Sequence, residues 1–548
     1  MPTSNLWLAL VPLAAVQLYL VWRRLLAYLR FFQQEGYENL RFLKWTRARS
    51  LTDPAFLVAV ASAFLGPKFP LSIAILSFLV FLALAVAQPD PRSTGKISLR
   101  LTDRAKRILI TTFVVVVVVW GGLLSVNPTE PVRTGFVASS AVFLLLPVLL
   151  LVGNTLLMPY EQLVQRRFEQ DAKRLISDVH PFIVGITGSY GKSSTKSMLA
   201  HFLRFKGPTL AASGSINTLM GVTRHIRENL VPGDQFMVVE MGAFRVGSIR
   251  RLCQLTPPSA GIITAVGEMH LERFGSTEEI VRAKSELAQA LPPGSFLVAN
   301  ADSPGALRIA RGATHAKVLL YGETSSEALD TRLKDVVFTS KGTTFRLETR
   351  EAEYSCFVPL LGRPIILNLA GAFTLAVRMG MSPALVIAAM RTLRPVANRL
   401  EVVEEDGITW VRDAYNSNPI GFRAALEVAA ALPVSRRILV TPGVVELGPE
   451  QREANRKLAA EAAAVCDFTV VVSDTNRSAF EAGHRDAGKP GTLVPVETRT
   501  EAFRWLRDRL RSGDSVILEN DLPDLYEASE GIFLNARPRR PKALKAQV

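Results

Sequence analysis

One segment constrains the fold of this chain more than any other. At residues 181–195 an apolar stretch runs into a glycine-rich turn, then Lys192-Ser193, then a stretch typical of a helix from 195 to 204. In such a unit the backbone N–H groups surround phosphates, the lysine reaches the outer phosphates, and the hydroxyl can bind Mg²⁺. The segment therefore predicts an α/β domain that binds a nucleotide. The residues of this phosphate loop are Thr187, Gly188, Ser189, Tyr190, Gly191, Lys192, Ser193 and Ser194.

The first 157 residues are the most apolar part of the chain. Four runs approach the roughly 20 residues that a helix needs to cross a bilayer, and they lie at residues 5–22, 71–87, 108–126 and 136–157. A fifth run, at 56–66, is too short to cross alone. The first run lacks a basic start and a small-residue cleavage site, which favours a retained anchor over a signal peptide. The pattern predicts an N-terminal α-helical transmembrane domain.

Basic residues indicate the topology of that domain. They cluster after the first run and before the run at 108–126, and the positive-inside rule places both clusters in the cytoplasm. The runs between them must then pair as a hairpin at 55–87, which gives about five crossings and a cytoplasmic location for everything after residue 157. We expect a multi-pass protein of the cytoplasmic membrane. The two clusters are Arg23, Arg24, Arg30, Arg41, Lys44, Arg47 and Arg49, and Arg92, Lys96, Arg100, Arg104, Lys106 and Arg107.

The formal charge of +15 does not require a nucleic-acid partner. Much of it lies in the juxtamembrane segments and the C-terminal tail, where it would contact anionic lipid headgroups. The chain has no aromatic-interleaved basic stripe of the kind that binds nucleic acid. Three scattered cysteines without metal-ligand spacing are expected to be reduced residues of a cytosolic core; they are Cys253, Cys356 and Cys466.

Strand-like and helical runs alternate beyond the apolar region. This alternation predicts α/β domains with largely parallel sheets, and residues 342–358 read as a β-ribbon. The predicted division is a membrane domain at 1–157, an ATP-binding central domain at 158–396, a smaller Rossmann-like C-terminal domain at 397–536 and a basic tail at 537–548.

Residues that follow the phosphate loop occur in a distinctive order. Glu240 ends an apolar strand, His270 follows the next strand, Lys284 lies near the start of a helix, and Asn300 and Asp302 close another strand. In this order the residues resemble the Mur ligase family, the ATP-dependent amide-forming enzymes of peptidoglycan synthesis. The resemblance is greatest to the branch that joins D-alanyl-D-alanine to UDP-MurNAc-tripeptide.

The resemblance covers roughly residues 181–520 and implies a mechanism. The γ-phosphoryl group of ATP moves onto an acceptor carboxylate, and an amine then displaces phosphate. It also implies an acceptor-side loop at residues 213–221, a cell-wall precursor, and an amino acid or dipeptide as substrates. Carbamylation of Lys284 would provide carboxylate oxygens, the hard ligands that Mg²⁺ prefers.

Individual roles follow from the same resemblance. The implied magnesium ligands are Ser193 and Glu240 for one ion, and His270 and carbamylated Lys284 for a second. Adenine contacts are implied for Asn300 and Asp302, and nucleotide contacts from the last domain for Arg399 and Asp413. The catalytic residues would be Lys192, Lys284, His270 and Arg399.

The chain departs from the family at three places. Membrane runs replace the N-terminal domain that grips UDP. A Gly-Arg-His-Asn turn reads Gly362-Arg363-Pro364-Ile365, with Asn368 retained, and a late Lys-Gly-Ser segment is replaced by residues 519–524. The nucleotide-handling residues are kept, whereas the parts that handle the other substrates differ.

Four functions are therefore compared. We favour a membrane-anchored amide ligase of cell-wall metabolism with a lipid-linked acceptor. The first alternative is the D-alanyl-D-alanine-adding reaction on soluble UDP-MurNAc-tripeptide, with the spans as a tether. An ATP-driven transporter is disfavoured because we expect no buried charges among the spans. A non-catalytic scaffold is disfavoured because every phosphate and metal position is filled.

Overall fold

The computed structural model describes residues 10–50, 53–65, 79–80, 83, 99–126, 131–267, 274–414, 417–488 and 491–521. Most of the predicted hairpin at 55–87, His270 and the basic tail lie outside the described residues. The chain forms two compact units, one containing residues up to Val164 and the other spanning Gln165–Leu522.

The first unit is helical. Two of its helices, Asp103–Leu124 and the one that contains residues 133–179, are long and apolar enough to cross a membrane. This count covers only the part of the chain that the structure describes, so the five-crossing topology stays a prediction. The helices are Leu10–Gln34, Asn39–Ser50, Pro54–Leu65, Asp103–Leu124 and Pro131–Val179.

The basic segment after the first apolar run is not a loop. Helix Leu10–Gln34 continues through Arg23, Arg24 and Arg30, because the leucines, alanines and arginines there are good helix formers and no proline or glycine interrupts them. The Arg24 side chain is only 1% exposed. It forms an ion pair with Asp53 and lies 4.9 Å from the Tyr28 ring centre. This buried charge is paired with an opposite charge, and both residues lie outside the predicted spans. The expectation of no buried charges among the spans therefore stays a prediction.

A single helix, Pro131–Val179, extends across the predicted domain boundary at residue 157. Its last turns carry apolar side chains on the face that packs into the second unit. Ala172 is fully buried there, and Leu175, Ile176 and Val179 pack against the same hydrophobic cluster as Ile183. Residues 165–179 are therefore part of the core of the second unit, which contains the described candidate catalytic residues and is called the catalytic unit.

The central domain is built on a nine-stranded sheet in the order β2-β3-β1-β4-β5-β6-β7-β8-β9. Strands β1 to β6 are parallel. The central strands β1, β3, β4 and β5 are almost wholly buried between helices, as expected for near-continuous apolar runs. The antiparallel pair β8 and β9 confirms the predicted ribbon at 342–358. The strands are β1 Phe182–Thr187, β2 Thr209–Ala211, β3 Phe236–Glu240, β4 Ala260–Ile263, β5 Phe296–Asn300, β6 Lys317–Gly322, β7 Thr331–Thr339, β8 Gly342–Thr349 and β9 Glu353–Val358.

Helices cover both faces of this sheet. Lys192–Leu203 and Arg363–Arg378 pack together on one face, in the largest hydrophobic cluster of the unit. The helices of this domain are Lys192–Leu203, Leu219–Asn229, Ser248–Leu255, Thr277–Ala290, Pro304–Gly312, Arg363–Arg378 and Pro383–Met390.

The C-terminal domain has a six-stranded sheet in the order β10-β11-β15-β12-β13-β14, parallel except for β10. Its strands are β10 Glu401–Glu405, β11 Ile408–Asp413, β12 Arg436–Thr441, β13 Phe468–Val472, β14 Thr492–Val496 and β15 Asp514–Glu519. Its helices are Pro419–Ala431, Gln451–Val465, Arg477–Asp486 and Arg499–Arg507, with a short 3₁₀ helix at Gly448–Glu450. The predicted α/β character of both domains is confirmed.

Candidate active site

The phosphate loop connects β1 to the helix Lys192–Leu203, which begins three residues before the predicted start. Gly191, at φ +80°, is the N-cap of this helix and has no side chain to block its N-terminus. A Cβ at this position would collide with the Asn368 amide, so the tight turn requires glycine. The helix N-terminus is thus left open toward an anion.

Hydrogen bonds to β3 and β4 hold the phosphate loop in place. Each joins a hydroxyl group to a backbone carbonyl oxygen, with one partner in the loop and the other just beyond the end of β3 or β4. The Thr187 hydroxyl donates to Met241 O at 3.0 Å, the Ser189 hydroxyl donates to Gly267 O at 2.9 Å, and the Thr264 hydroxyl donates to Tyr190 O.

Two lysines converge on the same loop. Lys192 Nζ donates to Gly188 O at 2.7 Å and to Ser189 O at 3.0 Å, while Lys284 Nζ donates to Gly188 O at 2.9 Å. Burial lowers the pKa of Lys192 to about 8. Burial also lowers the pKa of Lys284 well below its usual range, and the neighbouring charge of Lys192 lowers it further. The environment therefore favours the neutral amine form of Lys284.

Glu240 ends β3 at the same edge of the sheet, in parallel register with Ile186 of β1. The residue is 2% exposed, and both of its carboxylate oxygens have hydrogen-bond or ion-pair partners. Oε1 accepts from Asn217 Nδ2 at 2.9 Å, and Oε2 lies 3.3 Å from Lys196 Nζ. Sequence reasoning missed Lys196, although its position one helical turn after Lys192 puts both lysines on one helix face.

The residues present fit one magnesium ion held together with nucleotide phosphate. Ser193 supplies a hydroxyl and Glu240 a carboxylate, both of them hard oxygen donors. Mg²⁺ commonly takes one or two protein ligands and completes its shell with phosphate and water. Within the described residues no three His, Cys, Asp or Glu side chains come together. His270, the predicted ligand of a second ion, lies outside those residues.

Asn300 and Asp302 shape the loop after β6. The Asp302 carboxylate accepts from the backbone N–H groups of Glu323, Thr324 and Ser325 at 2.7, 2.9 and 2.7 Å. Asn300 Oδ1 accepts from the Asp302 N–H at 2.9 Å. The structure thus shows a loop-ordering role that the sequence did not reveal, and the adenine contact of both residues stays a prediction.

Arg399 extends from the C-terminal domain to the acceptor-side loop, where Nη2 lies 3.4 Å from Ser215 Oγ. Asp413 ends β11, is buried, and accepts from the Leu400 N–H at 3.3 Å. Burial raises the pKa of Asp413 to about 7, against the opposing effect of the Arg399 charge.

Glu519 lies beside Asp413 in the paired strands β11 and β15, and the Ser417 hydroxyl donates to it. Burial and the Asp413 charge both raise the pKa of Glu519. This acidic pair was not predicted, because strand pairing alone brings the two residues together.

A cavity of about 410 Å³ lies between the helix Lys192–Leu203 and the segment that leads into the C-terminal domain. Its volume is within the range of small-molecule sites. Its lining includes the apolar Leu361, Leu393 and Leu400 and the polar Ser194, His201 and Arg399. The cavity therefore adjoins the phosphate loop and is formed by both domains.

A phosphate loop, a buried carboxylate and a lysine pair, faced by a second α/β domain that contributes an arginine, define an ATP-dependent ligase of the two-domain P-loop class. The chain belongs to the Mur ligase family. Residues 186–376 match the Mur ligase middle domain, and residues 398–519 match the Mur ligase glutamate ligase domain. Within the family this is an ATP-dependent ligase of the MurF type.

Curated relatives support this placement. Over 365 residues the chain is 31% identical to the UDP-N-acetylmuramoyl-tripeptide–D-alanyl-D-alanine ligase of Mycobacterium tuberculosis, covering 62% of this chain and 70% of the relative. Over 292 residues it is 32% identical to the Escherichia coli ligase of the same name, covering 53% and 64%. The matched family domains begin at residue 186, so the helical N-terminal region lies outside them.

Solved structures share the fold. MurF from Acinetobacter baumannii superposes with a TM-score of 0.59 at 23% identity, covering 65% of this chain and 77% of that chain. MurF from Thermotoga maritima in complex with ADP superposes with a TM-score of 0.58 at 24% identity, covering 66% and 82%.

Proposed function

We propose that this protein is a membrane-anchored ATP-dependent ligase that forms an amide bond on a peptidoglycan precursor, and that its acceptor is lipid-linked. The observation that carries the catalytic part is the convergence of Lys192 and Lys284 on Gly188 O, beside the buried Glu240. A phosphate-binding cation, a metal-binding carboxylate and a lysine amine that can take up CO₂ would together serve phosphoryl activation of a carboxylate.

The chain's own residues supply positioning and charge neutralisation. The open helix N-terminus and Lys192 would hold the phosphates, and Arg399 would approach from the C-terminal domain. The γ-phosphoryl group of ATP moves onto an oxygen of the acceptor carboxylate, its bond to the β-phosphate breaks, and ADP is the leaving group. The amine then attacks the acyl carbon, the carbon–oxygen bond to phosphate breaks, and inorganic phosphate leaves with the amide formed. Mg²⁺ at Ser193 and Glu240 would neutralise phosphate charge.

Carbamylation of Lys284 is part of this proposal. The neutral amine reacts with CO₂ to form a carbamate and releases one proton. Lys284 is 4% exposed and next to a second cation, an environment that favours the amine before reaction. The carbamate would then be stabilised by the Lys192 charge and by a second Mg²⁺ shared with His270.

Nucleotide binding is assigned to the cavity between the two domains. Arg399 and Asp413 would contact the nucleotide from the C-terminal domain, and Asn300 and Asp302 would order its adenine end. The cavity lining includes Ser194 of the phosphate loop and Arg399 of the C-terminal domain, which supports a nucleotide site to which both domains contribute.

Apolar exposure supports membrane anchoring. On helix Asp103–Leu124, Ile110, Val114 and Val118 form one stripe and are 63%, 56% and 68% exposed. An exposed stripe of this kind on an apolar helix is typical of contact with lipid or with a partner. This helix also has the length and composition of a membrane span. We therefore infer that lipid, rather than a protein partner, contacts the exposed side chains.

The acceptor could be presented in two forms. Relatives are named for a UDP-linked tripeptide, which favours a soluble acceptor. In this chain, however, the residues before 181 that the structure describes are mostly helical. A single membrane helix would already suffice as an anchor, so several predicted spans are more than a tether needs. A membrane domain in the same chain would confine the enzyme to the bilayer and so raise the effective concentration of a lipid-linked acceptor without UDP contacts. We therefore favour the lipid-linked form.

Proteoliposomes that contain the full chain provide the test. UDP-linked and polyprenyl-linked forms of the same muramyl peptide would compete for ATP-dependent addition of D-alanyl-D-alanine. Preference for the polyprenyl-linked form is expected. Preference for the UDP-linked form, kept after removal of residues 1–164, would show that the helices act only as a tether.

A further inference from the structure

Lys196 is a charged side chain near the site to which the proposed mechanism gives no role. It lies on the helix Lys192–Leu203 and is 1% exposed. Its ammonium donates to Gly214 O of the acceptor-side loop and forms an ion pair with Glu240 Oε2 at 3.3 Å. One buried cation therefore joins that loop to the carboxylate expected to bind Mg²⁺.

The acceptor-side loop has four further connections to the site. Ser215 Oγ lies 3.1 Å from Ser193 Oγ and 3.4 Å from Arg399 Nη2. Asn217 donates from Nδ2 to Glu240 Oε1 at 2.9 Å and accepts from the Gly242 N–H at 3.0 Å. The loop thus contacts the phosphate-loop helix, the strand that ends in Glu240, and the C-terminal domain.

We propose that Lys196 is a positioning residue that holds the acceptor-side loop against Glu240. It would thereby fix the position of the bound acceptor relative to the nucleotide and its Mg²⁺. This inference rests on the proposed function of the same site. The physical basis is the donor capacity of the ammonium, whose three N–H groups can bind the carbonyl and the carboxylate at once. Burial leaves this ion pair little screened by solvent ions.

The geometry also leaves room for a metal. Lys196 and Asn217 each bind one oxygen of Glu240, and an ionised carboxylate offers about four lone-pair sites. The two contacts fix the orientation of the carboxylate and leave other lone pairs for Mg²⁺. Residues that orient a metal ligand in this manner typically change metal affinity about 10- to 100-fold when they are replaced.

The test compares Lys196→Met, which keeps the side-chain length and removes the charge, with wild type in the full-length protein. One readout is hydrogen exchange of amides 213–218, with and without Mg²⁺ and ADP. The other is the ratio of ADP affinities measured in Mg²⁺ and in EDTA. In Lys196→Met we expect amides 213–218 to exchange about tenfold faster and the ratio of ADP affinities to fall about tenfold. The affinity for ADP in EDTA and the exchange protection of β1 should be unchanged.

Lys206→Met is the matched control, because Lys206 lies just beyond the same helix and donates to Met379 O, away from the site. Asn217→Ala is the second variant, because it removes the hydrogen bond from the loop to Glu240 Oε1. The test can therefore continue with this variant if Lys196→Met does not fold. Two results in a folded variant would overturn the proposal. One is loop exchange as slow as in wild type, and the other is a wild-type ratio of ADP affinities in a variant whose loop exchanges faster. Neither readout needs an acceptor, so failure of the proposed substrate would not be mistaken for failure of this inference.

Discussion

Lys192 and Lys284 donate to one acceptor, the carbonyl oxygen of Gly188, at 2.7 and 2.9 Å. Two ammonium groups on one carbonyl repel each other in a region of low solvent access. The Glu240 carboxylate raises the pKa of Lys192 and so favours its charged form, although burial lowers that pKa. For Lys284, burial and the Lys192 charge both lower the pKa. The pair therefore separates into a phosphate-binding cation and a reactive amine.

Replacement of Lys192 should abolish ligation without unfolding the protein. Lys192→Met removes a charge aimed at the phosphates, and loss of one such group typically costs about 10²- to 10³-fold in rate. ATP turnover and the thermal midpoint would be measured together, with Lys206→Met as the control for loss of a lysine. A Lys192→Met protein that ligates at the normal rate would show that the phosphate site is misassigned.

Lys284 should carry CO₂ in active preparations. Incubation with ¹³C-bicarbonate should give a carbamate carbon signal that Lys284→Ala lacks. Lys284→Ala should be inactive and regain part of its activity when acetate supplies a carboxylate, whereas Lys192→Met should not respond. An active preparation with an unmodified Lys284 amine would contradict the assignment.

Nucleotide affinity should fall as pH rises above about 8, the pKa of Lys192. The charged form binds phosphate, and bound phosphate raises the pKa, so proton uptake accompanies binding at higher pH. Affinity for ADP should then decrease by up to about tenfold per pH unit above that pKa. Lys192→Arg keeps its charge and should flatten the profile between pH 7 and about 9.5. A profile identical in both proteins would assign the titration to another group.

Arg363 connects the two domains of the catalytic unit through Glu323 at 2.5 Å and Glu427 at 3.0 Å. The guanidinium is partly exposed, so Arg363→Ala should lower the free energy of unfolding by no more than about 1 kcal/mol. It should nevertheless raise the KM for ATP, because the nucleotide cavity lies between those domains. Arg423→Ala removes an ion pair of similar exposure within the C-terminal domain alone and should leave that KM unchanged. Equal effects of the two variants would argue against a role in domain placement.

A fragment that begins at residue 165 should fold stably, whereas a fragment that begins at residue 180 should be less stable. The longer fragment keeps Ala172, Leu175, Ile176 and Val179, which pack into the core of the catalytic unit. Their loss should destabilise that unit by about 2–4 kcal/mol, given typical values for burying apolar side chains. Chemical denaturation of the two fragments, with ADP binding as the functional readout, would decide this. Equal stability of both fragments would show that the last turns of the helix Pro131–Val179 are dispensable.

Local patterns in the sequence predicted the elements of the catalytic unit well. The apolar run at 182–187, the glycines and Lys192 are neighbours in the chain, so their joint meaning needs no tertiary information. The same holds for the ribbon at 342–358 and for the alternation of strands and helices. The basic segment around Arg24 was misjudged because charge was taken to mean exposure, whereas its carboxylate partner Asp53 lies 29 residues away.

The sequence by itself determined which segments become strand, helix and phosphate loop, because those choices depend on residue spacing along the chain. Only the tertiary structure decided which charges meet. Lys196 and Glu240 are 44 residues apart, and Lys284 and Gly188 are 96 residues apart. Their contacts depend on the parallel register of β1, β3 and β4 and on the packing of the helix Thr277–Ala290 against them. No local pattern encodes that register, since it arises from burying the apolar faces of distant segments together.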